Sequence, residues 1–156
     1  MCRICLQENN DESDPMISPC KCAGTMSSIH LECLKEWLMN KRRKKANSKL
    51  VTYTWKAFEC ELCKEELPDR YDAPGFSFDL LKIENPFDDF LTLETVPSSI
   101  NKGQSKKSVY IVNIGKKSVI KMGRGRENDI LIKDISVSRF HAQIKRTNMG
   151  DFYLED

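Results

Sequence analysis

The chain of 156 residues has no long hydrophobic run, no strong excess of charge of either sign, and no cysteine beyond residue 63. Its apolar runs are only a few residues long, whereas a membrane-spanning helix needs about 20 apolar residues. The formal net charge of +2 is too small to indicate a nucleic-acid-binding surface. The sequence therefore predicts no membrane span and no nucleic-acid partner, and its length allows one or two small domains.

The seven cysteines are all concentrated in the first 63 residues. An odd number does not suit a closed disulfide framework. Together with His30, the seven cysteines make eight potential metal ligands, enough for two four-coordinate zinc ions with no cysteine left over. Cysteines that serve as ligands need a reducing compartment, so the sequence predicts a protein of the cytoplasm or nucleus.

The eight ligands form four pairs along the chain. Pairs adjacent in sequence would build two independent fingers, whereas interleaved pairs would join the segment into one cross-braced body, and the spacing alone leaves both arrangements open. We expect interleaving, because about 65 residues bury too little apolar surface to fold securely without metal. One zinc would then be held by Cys2, Cys5, His30 and Cys33, and the other by Cys20, Cys22, Cys60 and Cys63.

A helix is expected after His30. Leu31, Leu34 and Leu38 recur at helical spacing, which predicts a buried stripe on one face. Ser27 or Ser28 precedes this stripe and is a candidate N-cap.

Further along, the basic run 41–45 is interpreted as the solvated C-terminal end of this helix, where the helix dipole favours cations. Residues 50–58 alternate as a strand does. These patterns predict a zinc-binding domain at residues 1–70 and a proline-containing connector at 71–87. Short β-type runs separated by glycines predict an all-β domain at 88–156.

Four motifs occur together in the first 64 residues. They are CRIC at the start, then PCKCAG, then His30-x-x-Cys33-Leu34 followed by Trp37, and finally CELC. In combination they resemble the RING-variant (RING-CH) zinc finger of ubiquitin ligases. The resemblance implies a small cross-braced α+β fold that recruits a charged ubiquitin-conjugating enzyme and orients its thioester, without a catalytic nucleophile of its own.

The resemblance also implies three contacts with the conjugating enzyme. Ile4 and Trp37 match positions that form an apolar groove, and Lys64 matches a cationic position after the last ligand. Each residue also has a plainer interpretation. Ile4 could pack within its loop, Trp37 could belong to the helix core, and Lys64 could be a solvated surface charge.

Two other function classes stay open. The plant-homeodomain finger, a reader of histone tails, has the same ligand order, and Phe58 partly matches its aromatic position before the seventh ligand. Trp37, four residues after Cys33, favours the ligase type instead. A non-enzymatic, zinc-stabilised adaptor is the remaining alternative.

Two motifs near the end of the chain, GRGRENDI at 123–130 and SVSRFHA at 136–142, resemble the forkhead-associated (FHA) domain, a β-sandwich that reads phosphothreonine. The resemblance implies that Arg124 and Ser138 contact the phosphate. We expect Arg126, on the same loop as Arg124, to assist them. Planar cationic donors and a hydroxyl on rigid turns suit a phosphate. The implied partner is a phosphothreonine-containing protein.

The FHA resemblance covers residues 88–156 and omits the later asparagine loop of that family. We therefore expect an incomplete sandwich that is only partly ordered alone and represents a fragment of a domain. The resemblance also assigns His141 a structural role in bracing the binding loop. The leading hypothesis is a ubiquitin ligase whose second domain recruits phosphorylated partners.

Overall fold

The computed structural model describes residues 1–8, 11–96 and 106–156, which fall into two compact units. The first unit comprises Met1–Arg43, Thr54–Glu84 and Val96–Lys107, and the second comprises Lys44–Tyr53, Asn85–Thr95 and Ser108–Asp156. The segment Lys44–Tyr53 therefore groups with the second unit, although it lies between two zinc-ligand pairs in the sequence. The domain limits at residues 70 and 87 stay a prediction.

Strands are short throughout the described residues. The N-terminal elements are β1 (Met16–Ile17), a 3-10 turn (Gly24–Met26), β2 (Ile29–His30), α1 (Leu31–Lys41), β3 (Arg43–Ala46) and β4 (Leu50–Lys56). The later strands are β5 (Arg70–Ala73), β6 (Phe76–Asp79), β7 (Phe90–Glu94), β8 (Lys106–Asn113), β9 (Val119–Gly123), β10 (Ile130–Leu131), β11 (Ala142–Arg146) and β12 (Phe152–Glu155). No helix of the described segments is both long and apolar enough to cross a membrane.

Helix α1 buries Leu31, Leu34 and Leu38, as their spacing predicts. The predicted serine cap is wrong, because the N-cap residue is His30 and no side chain of its own turn caps the helix. Instead, the carboxylate of Asp14 accepts a hydrogen bond from the backbone N–H of Glu32 at 2.8 Å. A neighbouring loop therefore satisfies one of the free donors at this helix start.

The predicted basic end of the helix is confirmed only at Lys41, in the last turn of α1, and the rest of the basic run leaves the helix. Helix α1 ends at Lys41, Arg42 adopts extended backbone angles (φ −86°, ψ 149°), and the chain then enters β3. All four residues of β3 are exposed, so the basic side chains are solvated as expected but lie on a strand. Lys44 also lies over the ring of Tyr53, 5.6 Å from its centre.

The predicted connector contains a β-hairpin. Strands β5 and β6 pair antiparallel, with Tyr71 opposite Phe78, and Gly75 makes the turn with φ of 89°. The left-handed φ explains why glycine stands at this turn. Proline and charged residues around these strands concealed the hairpin in the sequence pattern.

The described residues contain two four-stranded sheets, with strand orders β3-β4-β8-β7 and β10-β9-β11-β12. All strands of the latter sheet belong to the second unit. In the latter sheet Ile144 lies opposite Ile120 on one side and Leu154 on the other. Both sheets contribute to one apolar cluster, whose buried members are Val112, Ile114, Ile120, Ile130 and Ile144. The prediction of a β-rich, incomplete sandwich is confirmed, because the sheets are partial and do not close.

The segment between ligands Cys33 and Cys60 contributes directly to this second unit. Leu50 packs against the apolar cluster. The backbone N–H of Asn113 donates to the carbonyl of Lys49 at 2.8 Å, and its side-chain amide donates to the carbonyl of Ser48 at 3.1 Å. The turn that leads into β4 is stabilised by Asn47, whose side-chain oxygen accepts the N–H of Leu50 at 2.9 Å.

Candidate metal centres and binding surfaces

The eight predicted ligands come together as two clusters of four. In each cluster the ligand atoms all lie within 4.8 Å of one another. The members are Cys2, Cys5, His30 and Cys33 in the first cluster, and Cys20, Cys22, Cys60 and Cys63 in the second. The pairs are therefore interleaved, which decides between the two arrangements that the spacing left open.

The distances within the clusters suit zinc. A tetrahedral ion with Zn–S bonds of about 2.3 Å holds its sulfur atoms about 3.8 Å apart. The sulfurs of Cys22 and Cys60 are separated by 3.6 Å. The Nδ1 atom of His30 lies 3.2 Å from the sulfur of Cys5 and 3.9 Å from that of Cys33. Three thiols with one imidazole, and four thiols, are both common donor sets for structural zinc, so the prediction of two zinc ions is confirmed.

Each C-x-x-C pair forms a tight turn that aims both sulfurs at one point. The N–H of Cys2 donates to the carbonyl of Gln7 at 2.8 Å, and the N–H of Cys60 donates to that of Glu65 at the same distance. Leu6 and Lys64, each directly after a ligand pair, both have φ of 61°. This left-handed conformation is unfavourable for residues with a side chain, so the two turns are held by their hydrogen bonds.

The thiols of each cluster differ strongly in acidity. Burial opposes ionisation of Cys2 and Cys60, but nearby backbone N–H groups stabilise the thiolates and lower both pKa values to about 6. Burial and hydrogen bonds to neighbouring sulfurs raise the pKa of Cys22 to about 11. For Cys33, burial and the sulfurs of the same cluster raise the pKa to about 12. Each cluster therefore has one thiol that ionises readily, and a bound divalent cation would favour deprotonation of the others.

Arg3 links the two metal centres. It lies in the turn of the first cluster, yet its guanidinium is 3.5 Å from the sulfur of Cys60 and 3.8 Å from that of Cys20, both in the second cluster. It also donates to the carbonyl of Met26 at 2.8 Å. Burial disfavours the charged guanidinium, but the surrounding thiolates more than compensate and raise the pKa of Arg3. A permanent cation thus faces the four-sulfur centre.

The first unit has an apolar groove of about 240 Å³ beside the metal centres. Ile4 and Trp37, two of the three residues predicted to contact a conjugating enzyme, both line it. Ile4 is 43% exposed and Leu62 is 56% exposed, so the groove presents free apolar surface. Its apolar lining residues are Ile4, Met26, Ile29, Leu34, Trp37, Leu62 and Leu67.

Lys64, the third predicted contact, does not line this groove. It lines a larger cleft of the same unit, which shares Trp37 and Glu61 with the groove. The ammonium of Lys41 lies 4.0 Å from the centre of the Trp37 ring and pairs with Glu61. Trp37 is therefore held on the surface by a cation on its own helix, and it forms part of both surfaces.

The sequence interpretation missed Leu62 as a groove residue. Leu62 stands in CELC where Ile4 stands in CRIC, immediately before the second cysteine of each pair. The two turns have the same backbone hydrogen bonds, so they present these side chains in equivalent ways. Comparison of the two C-x-x-C pairs would have indicated Leu62.

In the second unit the two predicted phosphate-binding loops lie side by side. The backbone N–H of Arg124 donates to the carbonyl of Ser138 at 2.9 Å, and its Nε donates to the carbonyl of Val137 at 3.2 Å. Arg124, Arg126 and Ser138 are all exposed. The three predicted residues are therefore within one accessible surface region.

Asn128 and Gly123 hold these loops together. The side-chain amide of Asn128 donates to the carbonyl of Gly125 at 2.8 Å and to that of Arg139 at 2.7 Å. At Gly123 an added Cβ would lie 2.3 Å from the carbonyl oxygen of Arg139, so only glycine permits this approach. His141, assigned the bracing role by resemblance, is exposed and donates its backbone N–H to Met122.

Comparison with protein-family models gives two matches. Residues 2–63 match the RING-variant domain, and residues 120–156 match the FHA domain. The first match covers the eight ligands, and the second covers the paired loops that carry Arg124 and Ser138. No solved structure matches the chain.

Among curated proteins, the chain is similar to E3 ubiquitin-protein ligases of the MARCH type. It is 40% identical to E3 ubiquitin-protein ligase MARCHF7 of Rattus norvegicus over 67 residues, which are 43% of this chain and 9% of that protein. It is 38% identical to E3 ubiquitin-protein ligase MARCHF8 of Homo sapiens over 66 residues, which are 42% of this chain and 18% of that protein. The chain thus covers a small part of the length of these relatives. Residues 2–63 of the chain are thus similar to the RING-variant domain, and residues 120–156 are similar to the FHA domain.

Proposed function

We propose that the first unit is a RING-type ubiquitin ligase domain, which binds a ubiquitin-conjugating enzyme and promotes transfer of its ubiquitin. The apolar groove lined by Ile4, Trp37 and Leu62 is the observation that carries this proposal. Such exposed apolar surface marks interaction sites in soluble proteins. The names of the MARCH relatives support the same reaction class.

The two zinc ions would have a structural role only. Four protein ligands complete each tetrahedral centre and leave no open position for a substrate or water. The ions would fix the two C-x-x-C turns, and these turns would in turn fix Ile4 and Leu62 against helix α1. In this proposal the zinc ions only stabilise the shape of the groove and take no part in the reaction.

Catalysis would consist of orientation. A conjugating enzyme docked in the groove would carry its ubiquitin thioester, and restraint of that thioester in one reactive conformation raises its rate of attack by a substrate lysine. The proposed reaction requires no nucleophile from this chain, because the substrate lysine attacks the thioester directly. Lys64 follows the last ligand with a left-handed backbone and lines the neighbouring cleft, and in this proposal it would contact the ubiquitin-loaded partner from outside the groove.

An in vitro assay of ubiquitin discharge, with a panel of conjugating enzymes, tests this function. We expect Ile4→Ala, Trp37→Ala and Leu62→Ala each to reduce transfer about tenfold or more, since truncation of central apolar contacts commonly costs 1–2 kcal/mol or more. Zinc content should stay unchanged in all three variants. Ile135→Ala, which truncates an isoleucine that is 92% exposed in the second unit, is the matched control.

Unchanged transfer by the groove variants would refute the groove assignment. Binding of a histone-tail peptide by the chain without any ubiquitin transfer would favour the histone-reader alternative. Failure to engage any conjugating enzyme, with both zinc ions bound, would favour the adaptor alternative. The ligand chemistry also leads us to propose the cytoplasm or nucleus as the location, because ligand thiols persist under reducing conditions.

For the second unit we propose recognition of phosphothreonine by Arg124, Ser138 and Arg126. Their exposure and the hydrogen bonds that join their loops support this proposal. A guanidinium can donate two parallel hydrogen bonds to a phosphate, and a hydroxyl can add a third. In this role the second unit would recruit phosphorylated partners to the ligase unit.

Titration with phosphothreonine and unmodified threonine peptides tests recognition. We expect binding of the phosphorylated peptide alone, and loss of at least about tenfold in affinity on Arg124→Ala, because charge-assisted hydrogen bonds to phosphate are strong. Lys116→Ala removes an exposed cation from a turn outside the loops and should have little effect. Equal binding of both peptides would contradict the proposal.

A further inference from the structure

The cleft that Lys64 lines has a volume of about 560 Å³, larger than that of the apolar groove, and contains more cations than the groove does. Five basic residues and two acidic residues line it. Lys41 and Glu61 pair with each other, so the remaining side chains give the cleft a clear positive excess. All of its lining residues belong to the first unit.

Four of these cations are available for a ligand. Arg43, Lys56, Lys64 and Lys106 line the cleft, and none of them forms an ion pair with an acidic residue of the described segments. These cations outnumber Glu59 and Glu61, the two acidic residues of the cleft, so an anionic partner would reduce the remaining repulsion between like charges. The cleft is therefore electrostatically complementary to an acidic ligand.

A second, independent feature of the cleft is its aromatic lining, formed by Trp37, Trp55 and Phe58. Trp55 is only 7% exposed. Its ring stacks on that of Phe58, with the ring centres 6.5 Å apart, so this part of the wall is fixed by packing. This fixed aromatic wall gives the cleft an apolar surface beside its cations.

We infer that this cleft binds an acidic peptide segment of a partner protein, through carboxylates spaced along an extended chain. Cations from several separate elements line the cleft, so they match charges distributed along a peptide. Glu59 and Glu61 lie among the cations. Their negative charges would repel a continuous polyphosphate backbone more strongly than they would repel separate carboxylates spaced along a peptide. The aromatic walls formed by Trp37 and Trp55 would pack against the aliphatic parts of the peptide.

This site is separate from the conjugating-enzyme groove in its chemistry, although the two share Trp37. An acidic segment held there would lie on the unit that carries out ubiquitin transfer in the proposed function. The binding itself requires neither ubiquitin nor a conjugating enzyme. A peptide-binding experiment therefore succeeds or fails independently of the ligase assay.

Intrinsic fluorescence offers a direct readout, because the two tryptophans of the chain, Trp37 and Trp55, both line the cleft. The full zinc-loaded chain would be titrated with an acetylated peptide of alternating glutamate and glycine. We expect a saturable change in tryptophan emission that weakens as salt is raised, because exposed charge contacts are screened. A peptide with lysine in place of glutamate should give no change.

Charge reversal locates the site. We expect the double variant Arg43→Glu and Lys56→Glu to weaken peptide binding by about tenfold or more, since opposed charges then face the ligand. Lys116→Glu makes the same kind of charge change on an exposed turn of the second unit and should alter binding less than about twofold.

Several results would overturn the inference. These are no saturable change with the glutamate peptide, equal loss of binding in the Lys116→Glu control, or tighter binding of an oligouridylate than of the peptide. Binding of a phosphoserine peptide without binding of the glutamate peptide would also overturn it. Circular dichroism and zinc content of each variant ensure that a loss of binding is not a loss of fold.

Discussion

At the scale of single residues, Arg3 couples the two metal centres. Its guanidinium contacts the sulfurs of Cys20 and Cys60 from within the turn of the other centre. A four-thiolate zinc centre has a net negative charge, and a nearby cation stabilises it. Residues around metal ligands change metal affinity by about 10- to 100-fold when they are mutated.

We therefore expect Arg3→Met to accelerate zinc loss from the four-sulfur centre by about tenfold, with less effect on the centre that contains His30. Arg3→Lys keeps a cation and should restore part of the retention. Competition with a chelator measures the rate of zinc loss. Replacement of zinc by cobalt then distinguishes the four-sulfur centre from the three-sulfur centre, so the rate is obtained for each centre. Equal zinc loss from both centres in Arg3→Met would contradict the coupling.

Asp129 gives the second unit a pH dependence of known sign. Burial favours its neutral form, but the ion pair with Lys117 and the N–H of Lys121, 3.0 Å away, outweigh burial and lower its pKa below the usual 3.8. A lowered pKa in the folded state means that Asp129 stabilises the fold above the unfolded pKa of about 4. This stabilisation is lost as the pH falls through the folded pKa.

Asp129→Asn should consequently destabilise β9 and its neighbours by about 1 kcal/mol at pH 7, the usual size for loss of a charge-assisted hydrogen bond. The difference from the unmodified chain should shrink near pH 3. Amide hydrogen exchange in β9 and β11 measures this difference in local stability, and Asp151→Asn, at an exposed position, is the control. A difference that grows in acid would contradict the assigned sign.

At the scale of elements, helix α1 depends on a loop that precedes it by many residues. The Asp14 carboxylate accepts the N–H of Glu32 at 2.8 Å and replaces the local serine cap expected from the sequence. Asp14→Ala should destabilise the first unit by about 1 kcal/mol, as loss of an N-cap does. Ser28→Ala should have little effect on helix stability. Chemical denaturation followed by tryptophan emission compares the two, and a larger effect of Ser28→Ala would contradict the capping assignment.

The elements that the sequence predicts correctly are those with an internal pattern. The leucines of α1 recur at the helical period, and Val51, Tyr53 and Trp55 alternate at the strand period. The zinc ligands come in closely spaced pairs, which is the local pattern that a shared metal ion requires. Strand β3 was missed because its four residues are all exposed and three of them are basic, so they have no apolar alternation. The hairpin of β5 and β6 was concealed similarly by polar residues and Pro74.

Candidate sites follow the same distinction. The metal ligands are predictable because zinc restricts both residue type and number, whereas Arg3 and Leu62 act through distances between segments that no local pattern encodes. The cleft of the first unit depends on Arg43, Lys56 and Lys106, which are distant in sequence and unremarkable individually. Such tertiary groupings became visible only in the structure.

At the scale of the whole molecule, the order of segments along the chain differs from their grouping in space. Residues 44–53 interrupt the RING-variant sequence and group with the β-rich unit, where Leu50 joins the apolar cluster. A fragment of residues 88–156 alone would lack this strand. We therefore expect this fragment to be only partly ordered. Amide hydrogen exchange would compare the fragment with the full chain, and strong protection throughout the fragment would contradict the expectation.

The central claim is that two ions, held by crossed ligand pairs, give the first unit its shape. Each ion contributes on the order of 10 kcal/mol, which exceeds what so small an apolar core supplies. Native mass spectrometry of the intact chain, before and after treatment with a strong chelator, tests this directly. We expect the mass of two zinc ions per chain, and a shift to the highly charged ions of an unfolded segment once they are stripped. Fewer than two ions, or an unchanged charge distribution after chelation, would contradict it.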